Sequence, residues 1–93
     1  MPFDGTELPR VTKELINARN RIEKGWIQNY ASTSKGVCMS FAIDGGYAMR
    51  EECLVFLSAA IGGFPVVPWN DDPRRTKEEV LAAYDRAIEL SFV

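Results

Sequence analysis

Leu8, Val11, Leu15, Ala18 and Ile22 recur at steps of three and four residues, the spacing that puts side chains on one stripe of an α-helix. The pattern predicts a helix from about Pro9 to Lys24. Pro9 suits the first turn, where a missing N–H costs nothing, and Gly25 supplies a C-terminal stop. Lys13, Asn17, Asn20, Arg21 and Lys24 fall on the opposite, wet face. After Gly25 the period changes: Trp26, Gln28 and Tyr30 alternate, residues 32–36 read as a polar turn, and Val37, Met39, Phe41 and Ile43 share one phase. This predicts a β-hairpin whose apolar face lies on the helices, because a lone hairpin is marginal in water.

Asp44-Gly45-Gly46 breaks the chain, and from about Tyr47 to Ile61 it reads as helix. The second half of that helix is apolar nearly all round, the mark of a helix buried at the centre of a fold. Gly62-Gly63 ends it. Phe64 to Trp69 contains Pro65 and Pro68, which predicts an extended connector. Thr76 followed three residues later by Glu79 is a capping box. Val80, Ala83, Tyr84, Ala87, Ile88 and Ser91 then continue at helical spacing, so the last helix runs from about Lys77 to Leu90 or beyond. The expected architecture is α+β and mostly helical: three helices with a small β-hairpin packed on them, one domain over residues 1–93, with no internal repeat.

Composition narrows the chemistry. Hydrophobic residues are 46% of the 93 and charged ones 26%, as in an ordinary folded domain with one core. The net charge is −2, with +2 over residues 1–36 and −4 over residues 37–93, which gives no domain-wide positive field for nucleic acid. Histidine is absent, and with it the side chain most used for acid–base work near neutral pH and the common zinc sites. Cys38 and Cys53 are too few for a structural metal centre and read as reduced, packed thiols. In the apolar helix, burial should raise the pKa of Cys53 and make it inert. Gly45-Gly46 and Gly62-Gly63 belong to no phosphate-binding or dinucleotide pattern. We therefore expect no catalytic residue, no cofactor and no metal. The N-terminus, residues 1–8, lacks the basic and apolar regions of a signal peptide, and no apolar run reaches the roughly 20 residues of a membrane span. The chain is expected to be cytoplasmic.

The stretch from Val67 to Val80 concentrates the residues without an obvious structural reason. Asn70 and Asp71 can close turns, Asp72-Pro73 presets one, and Trp69 can cover the end of the core. Arg74 and Arg75, however, sit just before a helix N-terminus, which carries about half a positive charge. Carboxylates at Asp71, Asp72, Glu78 and Glu79 are near enough to brace them, and an arginine–carboxylate network is the first reading. An arginine left free beside Trp69 instead suits a phosphate, carboxylate or nucleobase at the helix start, or a protein partner anchored on tryptophan and arginine. The acidic spacing lacks the alternation and central glycine of an EF-hand.

Two blocks, Leu15-Ile16-Asn17-Ala18-Arg19-Asn20-Arg21-Ile22-Glu23-Lys24-Gly25-Trp26-Ile27-Gln28 and Trp69-Asn70-Asp71-Asp72-Pro73-Arg74-Arg75-Thr76 running on to Leu81, resemble an uncharacterised family of short bacterial and phage proteins, a domain of unknown function. The resemblance implies the domain boundaries and a bacterial or phage origin, and it brings no activity with it. The expected function is a small non-enzymatic interaction protein, phage or prophage encoded, that binds a host or phage protein through Trp26, Tyr30, Trp69, Asn70, Asp71, Arg74 and Arg75. The alternative is a binder of a nucleotide or other anion near the N-terminus of the last helix. Homo-oligomerisation is a further expectation, because three helices of this size leave an apolar face uncovered.

Overall fold

The computed structural model describes residues 8–92; the reading of residues 1–7 as no signal peptide lies outside them. In chain order the elements are α1 (Arg10–Lys24), β1 (Ser32–Thr33), β2 (Gly36–Val37), α2 (Tyr47–Ala60), α3 (Val66–Asn70) and α4 (Lys77–Ser91). The class is α+β and mostly helical, as the periodicity predicts.

The first and last helices follow their stripes. Leu15, Ala18 and Ile22 of α1 are buried, joined by Thr12, whose Oγ1 lies 2.6 Å from Ser91 Oγ at the far end of α4. Pro9 stands one residue before the helix rather than in its first turn. α4 opens on the predicted capping box: Glu79 N–H donates to Thr76 Oγ1 at 3.2 Å, and Thr76 N–H donates to Glu79 Oε1 at 2.9 Å. Val80, Ala83, Tyr84 and Ala87 are its buried residues.

Three expectations are corrected. The helix at the centre is α4, which packs on both α1 and α2. α2 buries only Cys53 and Leu57, and Val55 is 66% exposed. Apolar composition all round α2 does not bury it, because among the described residues no element lies over its outer side. Gly62 and Gly63 do end it, at φ of 84° and 89°, with Gly63 N–H donating to Ser58 O and Gly62 N–H to Ala59 O. Those two bonds satisfy carbonyls that a helix end leaves open.

The hairpin is shorter than predicted. Ser32 pairs with Val37 and Thr33 with Gly36, and no ladder extends to Ile43. Beyond Val37 the chain coils back, with Ala42 N–H bonded to Cys38 O. Met39 finds its backbone partners on other elements: its N–H donates to Asn70 Oδ1 and its carbonyl accepts from the Tyr84 hydroxyl. Phe41 therefore emerges on the surface while Met39 and Ile43 stay buried.

The connector is not extended throughout, since Val66–Asn70 forms a fourth, one-turn helix. Pro65 precedes it and Pro68 occupies its third position. The first four N–H groups of a helix have no acceptor within it, so a proline there removes no bond.

Candidate functional site

Asn70 is the pivot of the Trp69–Arg75 stretch. It is 1% exposed, and its Oδ1 accepts from Trp26 Nε1 at 2.7 Å and from Met39 N–H at 3.1 Å. Its Nδ2 donates to Ile27 O at 3.2 Å and to Asp71 Oδ1 at 2.9 Å. Gln28 Nε2 adds bonds to the carbonyls of Asn70 and Asp72, at 2.9 and 2.6 Å, and Asn29 N–H donates to Asp71 Oδ1 at 2.9 Å. The segment leaving α1 and the segment leaving α3 are thus clamped by side chain to backbone bonds. The two blocks that carry the family resemblance meet in space at this clamp.

Arg75 is committed as well. Its Cζ lies 3.5 Å from the Trp69 ring centroid, and Nε donates to Trp69 O at 3.0 Å. Nη1 donates to Glu79 Oε2 at 3.0 Å, Nη2 lies 4.0 Å from Asp72 Oδ2, and the side chain is 16% exposed. The bracing network therefore accounts for Arg75. Arg74 differs: its side chain is 93% exposed, and its Nε reaches Asp72 Oδ1 only at 3.7 Å.

Two carboxylates at this turn, Asp72 and Glu79, sit below their ordinary range. For Asp72 the main cause is the backbone N–H of Arg74, followed by the charges of Arg74 and Arg75. For Glu79 it is the backbone N–H of Thr76, followed by hydrogen bonds from Arg75 and from Thr76 itself. The start of α4 thus presents carboxylates already held by the protein's own donors, which disfavours an incoming anion there.

Of the residues singled out in the sequence, the structure brings Trp26, Trp69, Asn70, Asp71 and Arg75 together, with Trp26, Asn70 and Arg75 engaged internally. Arg74 points to solvent, and Tyr30, 70% exposed, stands across a separate cleft. That cleft, of about 220 Å³, is lined by Tyr30, Phe41, Cys38, Val67 and Asp71 among others. A second cleft, of about 330 Å³, is lined by Phe64, Pro65, Pro68, Trp69, Asp72 and Arg75. Between them lies α3, which contributes Val67 to one and Pro68 and Trp69 to the other. Sequence reasoning missed Phe41, which it placed on the apolar face of the hairpin, and Phe64 and Val67, which it placed in an extended connector, and it missed Gln28 and Asn29. The signal for those two was a pair of amides beside Trp26 in a supposed strand, where amides are uncommon.

Cys53 is fully buried, and desolvation first, then Glu14 and Glu52, pushes its thiol up to about 11. Among the described residues, no group of three or more Cys, Asp or Glu side chains is placed to hold a metal ion, and no helix is long and apolar enough to cross a membrane. Among curated proteins and among solved structures, none matches this chain. A family model does match, over residues 6–90, and by that match the chain belongs to a family of unknown function (DUF6197).

Proposed function

We propose that this is a small non-enzymatic interaction protein that binds a protein partner through the surface around α3. The observation that carries the reading is the band of exposed nonpolar side chains bordering that helix: Tyr30, Phe41, Phe64 and Val67. Aromatic residues grouped at the surface favour recognition, because they gain much on desolvation and lose little side-chain entropy. The clamp on Asn70 holds α3 rigidly, so the band is preorganised. Trp26 and Asn70 support this surface from beneath, and Arg74 stands at its edge. A bacterial or phage setting for this reading rests on the sequence resemblance.

The test is partner capture with the wild-type chain, Val67→Glu and Tyr30→Ala. Both variants should keep the wild-type melting temperature within a few degrees and lose the captured protein. Capture that survives both substitutions would remove the reading. The alternative, a nucleotide or anion ligand at the start of α4, is supported by Arg74 alone. It requires thermal stabilisation by a nucleotide that disappears in Arg74→Ala. Homo-oligomerisation would use the outer side of α2, where Tyr47 and Val55 are exposed; sedimentation of the wild type and of Val55→Glu across a concentration series tests it.

A further inference from the structure

We propose that a cleft between the last turn of α1 and the hairpin turn binds a small phosphate-bearing ligand. The cleft measures about 310 Å³, and its side chains include Arg21, Lys24, Thr33, Ser34 and Lys35. Its lining therefore holds three cations and two hydroxyls and no carboxylate, on a chain whose net charge is −2.

The cleft exists because two glycine backbones cross. A Cβ on Gly25 would lie 2.3 Å from Lys35 O, and one on Gly36 would lie 2.3 Å from the backbone of Gly25. Val37 N–H donates to Gly25 O, and Ile27 N–H to Val37 O, which locks the crossing. The hairpin turn is thereby held against the end of α1, and Lys35 joins a cluster it would otherwise not reach.

Part of this positive charge has a structural reason. The C-terminus of a helix carries a partial negative charge, which Arg21 and Lys24 offset, and Lys77 Nζ already donates to Glu23 O at 2.6 Å. Arg21 also bonds Glu14 Oε2 and Ala42 O, each at 2.7 Å. These roles leave Lys24 and Lys35 without a carboxylate partner among the described residues, and they do not explain Lys35 at all. A phosphate group supplies what the cleft lacks: oxygens that accept from two ammonium groups and from the Ser34 and Thr33 hydroxyls. The ligand is small because the cleft holds only about 310 Å³.

The experiment is an amide NMR titration of the full chain with inorganic phosphate and with pyrophosphate, with chloride at matched ionic strength as reference. Saturable shifts should concentrate at Gly25 and residues 33–36, and pyrophosphate should bind more tightly than phosphate. The double variant Lys24→Gln, Lys35→Gln should weaken binding by about tenfold or more. Lys13→Gln, on the exposed face of α1 outside the cleft, should leave it unchanged. Both variants alter exposed lysines, so the amide spectrum itself reports that the fold is kept. Absence of saturable shifts at these positions, or shifts that persist in the double variant, overturns the proposal.

Discussion

Replacing Asn70 with alanine strands three groups at once, namely Trp26 Nε1, the N–H of Met39 and the carbonyl of Ile27. Each buried group left unpaired costs about 1–3 kcal/mol, so Asn70→Ala should lose about 3–5 kcal/mol by urea denaturation, a large share of a small domain's stability. Trp26→Phe removes one donor and keeps most of the packing; in a double-mutant cycle with Asn70→Ala it should show a coupling of about 1 kcal/mol or more. A coupling near zero would mean that the two side chains do not hold each other. The two arginines separate in the same way. Arg75→Gln loses the stack on Trp69 and the bond to Glu79 and should cost about 1–2 kcal/mol, whereas Arg74→Gln should lie within about 0.5 kcal/mol of wild type. Adjacent identical residues thus differ because one lies in a network and the other in water, which no local sequence pattern reveals.

At the scale of elements, the turn into α4 carries a pH dependence whose sign follows from its hydrogen bonds. Asp72 and Glu79 are held below their ordinary values of 3.8 and 4.5 by donors that exist only in the folded chain. Their contribution is complete above those values and is lost as pH falls through the lower folded ones. The melting temperature should therefore fall as pH drops from roughly 5 to 3, and Glu79→Gln should show a shallower fall over that window. An identical slope in the variant would assign the acid sensitivity elsewhere. The capping box was legible because it is written in four consecutive residues, and so were the stripes of α1 and α4. The Gly25–Gly36 crossing was not, since Gly25 in sequence looked like a helix stop. In the structure Gly25 adopts an extended φ of 178° that any residue could take, and what demands glycine is the Lys35 carbonyl beside it. Gly25→Ala should cost about 2–3 kcal/mol and broaden the hairpin amide signals.

For the whole molecule, the packing of the two other long helices, α1 and α2, on α4 makes the Cys53 thiol a probe of global opening. Buried and pushed up to about 11, it should react with a thiol reagent at pH 8 only through opening of the molecule, with the rate rising in Asn70→Ala by about tenfold for each ~1.4 kcal/mol of stability lost. Rapid labelling of the native protein would show that α2 separates from α4 independently. The sequence by itself determined the fold class, the ends of α1 and α4, the cap on α4, the glycine stop after α2 and the burial of Cys53, because these depend on residues within a turn or two of one another or on bulk composition. Tertiary structure decided which helix is central, where the hairpin ends, that Pro68 sits inside a turn of helix, and which aromatic side chains face water. Those outcomes turn on partners tens of residues away: Asn70 and Tyr84 satisfy Met39 and so end the strand, and among the described residues no element covers the outer side of α2 or the rim of α3.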